Sequence, residues 1–285
     1  MNLELIADYA CEIGENPLWH PTEKRLYWTD IATGRMFRYD PASGHHEQFY
    51  EGEMVGGFTI QRDDSLLLFM AKGAIKIWRE GRLITMMDSI PEEQESRFND
   101  VFVDPEGRVF CGTMSSKTHK GCLYRLDPDG ALICVLQGIE CSNGMALTRD
   151  HRCFYYTDSF ARSIYLFDYE QSSGNISNQR LFATVPEDEG FPDGMTVDAE
   201  GGVWSARWDG ACVVKYSPTG AIIDRISFPV KKVSSVIFGG EDYADLYVTT
   251  AGGNAKATEG AHAGSLYRVR PGVRGLPEFF SNIGR

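Results

Sequence analysis

The sequence has seven cysteines but no CxxC pair, and no Cys/His spacing that fits a zinc motif. An odd number of scattered cysteines argues against a disulfide framework, so Cys11, Cys111, Cys122, Cys134, Cys141, Cys153 and Cys212 read as buried, reduced thiols. Long apolar runs are also missing. The stretch from Leu66 to Met70 is cut by Lys72, far short of a membrane span. The opening Met1-Asn2-Leu3-Glu4-Leu5 lacks a basic region and a following apolar stretch, so no secretory leader is read there and the expected compartment is the cytoplasm. Positive charge is scarce: 28 Lys and Arg against 40 Asp and Glu leave a net charge of −12. Such a surface repels phosphate backbones, and no basic stripe offsets it, so nucleic acid is not an expected partner. There is no GxSxG nucleophile elbow, no DxDG-type calcium loop, no phosphate-cradling glycine motif, and no metal or triad spacing among the six histidines.

Helical apolar stripes are missing as well. The best local helix candidate is Pro91 to Phe98, with Glu92, Glu93 and Glu95; it is short, and a charged loop is the alternative reading. What the chain has instead is glycine, 30 residues of it, set mostly between short apolar runs, which favours many tight turns and many short strands. These runs repeat. NDVFVDPEGRVFCGTMSSKTHKGCLYRLDPDG, NGMALTRDHRCFYYTDSFARSIYLFDYEQSSG and DGMTVDAEGGVWSARWDGACVVKYSPTG share one plan. A polar pair opens an apolar strand, a turn follows, a strand rich in aromatic or β-branched residues comes next, and a later strand ends in a glycine turn. Looser copies start at Asn16, Gly56 and Ser234, giving starts at 16, 56, 99, 143, 193 and 234 and separations of 40, 43, 44, 50 and 41. A period near 40–50 with about four strands per unit predicts a six-bladed β-propeller. The segment from Leu3 to Tyr9 is expected to pair with the last blade and close the ring, removing exposed edges. No linker or low-complexity tract interrupts residues 1–285, so one domain is expected.

The phase of the repeat gathers polar residues. The first strand of each blade lines the channel, so residues that open the units lie at one height around one axis. Glu15, Asn99, Asn143 and Asp193 therefore point at a shared volume. Two carboxylates and two carboxamides supply oxygen ligands only, and like charges at one point favour an intervening cation: calcium, magnesium or manganese, with zinc completed by water. Too few protein ligands are present to saturate calcium, which leaves positions for water or substrate. Arg97, two residues before Asn99, is either at the channel mouth, where its fork holds substrate oxygens, or a surface arginine paired with Glu93 or Glu95. The polar loop Met114 to Gly121, with Lys117 and His119, and the insertion from Gly252 to Gly264 are candidates to cover that mouth.

These residues carry a resemblance to a known family. Gly14-Glu15-Asn16-Pro17-Leu18-Trp19, Arg97-Phe98-Asn99-Asp100, Gly112-Thr113-Met114, Ser142-Asn143-Gly144 and Phe191-Pro192-Asp193-Gly194-Met195 stand in an order and spacing similar to the SMP-30/gluconolactonase/luciferin-regenerating-enzyme-like family. Tyr155 to Ser159 and Phe238-Gly239-Gly240 also fit. The resemblance implies a six-bladed β-propeller with a central metal site, one divalent cation held by Glu15, Asn143 and Asp193. It implies contacts from Arg97 and Asn99 to a sugar lactone, and Asp193 as catalytic base. The implied partner is a small-molecule sugar lactone, acted on by a monomer or small homo-oligomer with no nucleic acid or membrane partner. Two other readings stay open: a metal-assisted esterase or phosphotriesterase on the same site, and a calcium-binding propeller without chemistry. One departure is Lys117, which stands where some animal members place an acidic substrate contact.

Overall fold

The computed structural model describes residues 2–284. It contains six four-stranded antiparallel sheets in a ring. The innermost strands are Gly14–His20, Val55–Ile60, Phe98–Val103, Ser142–Leu147, Phe191–Val197 and Val233–Gly239. Each begins within two residues of a start read from the repeat. The sixth sheet takes its outer strand, Glu4–Asp8, from the beginning of the chain, paired antiparallel to Ser265–Val269. The ring is thus closed by hydrogen bonds between the two ends of the sequence, as the stretch from Leu3 to Tyr9 was expected to do.

The blades have no core of their own. The described apolar side chains bury themselves in six seams, each between neighbouring blades. Trp19, Trp28 and Phe37 of the first blade meet Tyr247 and Leu266 of the sixth. Phe110 and Leu123 of the third meet Phe154 and Phe167 of the fourth. Alternation along a strand explains this, because each sheet turns one set of side chains to each neighbour. Losing one blade would therefore expose two seams.

All six inner strands carry a register irregularity near their first residues: Glu15/Leu18, Val55/Gly57, Phe98/Asp100, Asn143/Met145, Pro192/Met195 and Val233/Ser235. A bulge re-aims the side chains beside it and tightens the local twist. Here it does so at one height around the whole ring. Asn16 takes the left-handed conformation this needs, with φ 47°, and its amide oxygen accepts from the Phe58 backbone N–H of the next blade. Gly56 shows how close the strands come: a Cβ there would lie 1.9 Å from the Phe98 carbonyl oxygen.

Two expectations change. Pro91 to Phe98 is not a helix but a single 3-10 turn, Pro91–Glu93, followed by extended chain into the third blade. The cysteines are all free, but Cys134 is exposed and Cys153 half-buried, so burial does not extend to every thiol. Among the described residues, no helix is long and apolar enough to cross a membrane.

The far end of the channel is closed by a segment the repeat does not predict. Gly275 donates to the Tyr243 carbonyl, Ser281 to Ile60 and Asn282 to Gly107, so the chain runs across from the sixth blade to the second and third. Above it lies a cavity of about 450 Å³ lined by Asn16, Asp100, Met145, Met195, Ser235 and Glu278 among others.

Gly56→Ala forces a methyl group against backbone that has no room to move. It should cost about 1–3 kcal/mol of stability, the range for overpacking. Chemical denaturation checks this, and an unchanged midpoint would contradict the close approach of the second and third blades.

Candidate active site at the mouth of the ring

Glu15, Asn99, Asn143 and Asp193 each open or nearly open an inner strand, and each is buried, with 4%, 7%, 4% and 3% exposure. Their burial follows from the bulges, which turn them into the ring instead of into a seam. The segments that lead into two of these strands are gripped from the next strand of the same blade. Asp30 accepts from the Glu12 and Ile13 backbone N–H groups at 3.2 and 2.9 Å. Asp158 does the same for Glu140 and Cys141 at 3.3 and 3.2 Å. One carboxylate thus fixes the approach to Glu15 and another the approach to Asn143. Both follow an aromatic-Thr pair, Trp28-Thr29-Asp30 and Tyr156-Thr157-Asp158, a shared phase in the sequence that marks them.

The electrostatics are those of like charges confined together. Burial pushes the Glu15 carboxyl up to about 8, with the Asp100 carboxylate adding to it. Burial raises Asp193 well above the usual carboxylate range, and Glu15 and Asp100 raise it further. Asp100, one residue past Asn99, is pushed up to about 7 by burial. Sequence reasoning did not single out Asp100 as part of this group, although it stands directly after Asn99 at the bulge. The Asn143 amide lies beside Asp193 and donates to the Ser159 hydroxyl at 3.1 Å, which in turn donates to the Pro192 carbonyl at 2.7 Å.

Two buried oxygens at this point have no hydrogen-bond partner: Asn143 Oδ1 and Asp193 Oδ1. Leaving such atoms dry and unpaired is costly, and they are the acceptors a hard cation would take. Glu15 offers a third oxygen, its Oε2 accepting from the Asn16 backbone N–H at 3.0 Å. This donor set is oxygen only.

Arg97 lies beside Asn99 and forms no ion pair with Glu93 or Glu95 among the described residues. Its guanidinium donates to Asn99 Oδ1 at 2.6 Å and to the Phe98 carbonyl at 3.0 Å, and it lies within electrostatic range of Glu15 and Asp193. Burial lowers its pKa from the ordinary value. Asn99 is fixed from the other side, its amide donating to the Ser142 carbonyl at 2.8 Å. Glu93 is instead fully buried elsewhere, bonded to Thr113 and Tyr124. Lys117 is exposed on the loop from Met114 to Gly121, outside this group. The insertion from Gly252 to Gly264 packs at the same end of the ring, Gly252 and Gly253 donating to the Glu12 and Cys11 carbonyls and Lys231 to Glu259.

Comparison with known proteins places the chain in a family. The SMP-30/Gluconolactonase/LRE-like region matches residues 13–252. The chain belongs to this family. Among its relatives, Pentonolactonase XacC of Haloferax volcanii is 45% identical over 99% of both chains. Regucalcin of Danio rerio is 34% identical over 98% of both. Among solved structures, a luciferin-regenerating enzyme superposes with a TM-score of 0.90 at 27% identity, covering 99% of each chain. The luciferin-regenerating enzyme shares the six-bladed ring, and the residues 13–252 that match the family include Glu15, Arg97, Asn99, Asn143 and Asp193.

A carboxyl group whose pKa is raised by folding stabilises the folded state below its unfolded value, and that contribution is lost as pH rises through the folded value. For Glu15 the window runs from 4.5 to about 8. Chelator-treated protein should therefore lose melting temperature across that window by about 2 °C or more, and Glu15→Gln should lose less. Identical pH profiles for the two proteins, measured by calorimetry, would contradict the burial of the Glu15 carboxyl beside Asp100 and Asp193.

Proposed function

We propose that this chain is a divalent-metal-dependent hydrolase that opens the ring of sugar lactones, with Glu15, Asn143 and Asp193 holding the cation. The observation that carries this reading is the pair of unpartnered buried oxygens, Asn143 Oδ1 and Asp193 Oδ1, directly beside an arginine–asparagine pair in the mouth. When bound, the cation supplies Lewis acidity at the lactone carbonyl. Oxygen donors suit calcium, magnesium or manganese, and zinc completed by water, so which of these the protein uses in solution depends on supply as well as on the site.

The chain's own residues do the remaining work. Arg97 and Asn99 hold the sugar ring by its oxygens and so remove part of the entropic barrier. The 2.6 Å bond between them fixes the guanidinium relative to the amide, which gives the ring one orientation. Asp193 accepts the proton of the attacking water, whose oxygen joins the carbonyl carbon. The ring C–O bond breaks, and the same carboxyl returns the proton to the leaving ring oxygen, giving the open-chain aldonic acid. Full-length identity of 45% to a pentonolactonase makes five-carbon sugar lactones the first substrates to expect, ahead of the six-carbon gluconate type. Lys117, on the exposed loop, is a candidate to contact the substrate's outer hydroxyls if the loop bends inward.

Asp193→Asn should reduce turnover by ~10² or more while the protein still folds. Arg97→Lys should raise KM by ~10-fold with a smaller change in kcat, because the fork that fixes the ring is lost. Both are read from lactone hydrolysis across xylonate-, arabinonate-, galactonate- and gluconate-type substrates. Near-normal turnover in Asp193→Asn would remove the base role. Activity confined to aryl or phosphate esters would favour the esterase reading instead.

A further inference from the structure

A second group of ligating side chains lies outside the ring centre. Glu93 stands on the turn before the third blade, Cys122 on that blade's third strand, and His119 on the loop Met114 to Gly121 between them. One ligand atom from each falls within 4.8 Å of the others. Glu93 is 0% exposed. Its Oε1 is held by two hydroxyls, Thr113 at 3.0 Å and Tyr124 at 2.9 Å, while Oε2 has no partner. His119 Nδ1 is also buried and unpartnered. A carboxylate with one oxygen fixed by neighbours and the other left bare is the arrangement that orients a metal ligand from behind. A bare buried carboxylate oxygen facing a bare imidazole nitrogen has no other evident use in the fold.

We propose that Glu93, His119 and Cys122 form a second metal site, of zinc type, that fastens the mouth loop Met114 to Gly121 to the rim of the ring. The donor set decides the metal class. One sulfur, one imidazole nitrogen and one carboxylate oxygen suit zinc, with water in the fourth position, and do not suit calcium or magnesium. Ligand atoms around tetrahedral zinc stand about 3.5 Å apart, as bonds of 2.0–2.3 Å require. A small rotation of His119, which a loop carries, closes the difference.

The position gives the site a consequence. The loop's first residue touches the segment that bears Arg97 twice: Met114 donates to the Arg97 carbonyl at 3.2 Å, and Ser96 donates to the Met114 carbonyl. Within the loop, Ser116 donates to the His119 carbonyl at 2.8 Å and Thr118 to Glu95 at 3.0 Å. Metal at this site ties Glu93, four residues before Arg97, to the loop that carries Lys117. It is a positioning site, separate in donor chemistry from the all-oxygen centre.

Cobalt(II) is the probe, because a thiolate ligand gives it a near-ultraviolet charge-transfer band that oxygen ligands do not. Chelator-stripped, fully reduced protein titrated with cobalt(II) should develop this band, and zinc should abolish it. Cys122→Ser should lack the band, His119→Ala should show it only at higher cobalt concentration, and Asp193→Asn should keep it unchanged. His119 lies on a loop, so a folding defect in Cys122→Ser would not explain both variants, and circular dichroism checks each. No sulfur band in the reduced wild type overturns the proposal. So does a band that survives Cys122→Ser, which would point to another thiol, Cys134 beside Cys122 or Cys141 near Asp193. Lactone hydrolysis that fails while the band behaves as stated counts against the proposed function alone.

Discussion

Three carboxyl groups, Glu15, Asp100 and Asp193, are buried against one another where the six inner strands begin, and much of the molecule is arranged around the cost of keeping them there. Burial raises all three above the usual carboxylate range, and their mutual repulsion adds to Glu15 and Asp193. A ring is the shape that makes such a cluster possible. It brings residues from positions 15, 100 and 193 to one axis while the apolar side chains go to the seams between blades. The bulges of the first, third, fourth and fifth blades turn Glu15, Asn99, Asn143 and Asp193 inward at this height, and glycine at position 56 is required where the inner strands of the second and third blades approach too closely for any side chain. The second blade contributes no polar ligand for that reason. Asp30 and Asp158 then hold the incoming chain so that Glu15 and Asn143 are fixed by hydrogen bonds from behind.

Much of this was legible in the sequence because propeller phase converts position along the chain into height along an axis. The polar pairs at Asn99, Asn143 and Asp193 recur at one place in each repeat, and the inner strands start there. Closure by the first strand was legible too, since Leu3 to Tyr9 precedes the first unit and an unclosed ring would leave exposed edges. The plug formed by Gly275 to Ile283 was not, because it belongs to no repeat and its backbone groups bond to the sixth, second and third blades. Asp100 was hidden by its neighbour Asn99: only the bulge turns both inward. The acidic stretch before the third blade was compatible with a short helix or a charged loop from its composition. Its glutamates are instead divided between a fully buried Glu93 and an exposed Glu95, which no periodicity signals.

Glu93 also shows why the histidines carried no motif. Its partners lie 26 and 29 residues further along, on a loop and a strand of the next blade, so the spacing matches no zinc signature even though the fold brings the atoms within 4.8 Å. The two centres differ in donor chemistry. The ring centre has only oxygens to offer and faces the substrate mouth. The outer cluster has sulfur, nitrogen and oxygen and faces the loop beside Arg97. The sulfur and nitrogen donors favour zinc at the outer cluster, whereas the ring centre also accepts harder cations.

The central claim is that a cation sits among Glu15, Asn143 and Asp193. Crystals of the protein grown with manganese, measured at the manganese absorption edge, test it most directly. The account predicts an anomalous peak on the ring axis within bonding distance of oxygens from all three residues, absent in Asp193→Asn crystals treated alike. No peak at that point in well-ordered wild-type crystals, or one held by other side chains, would contradict it.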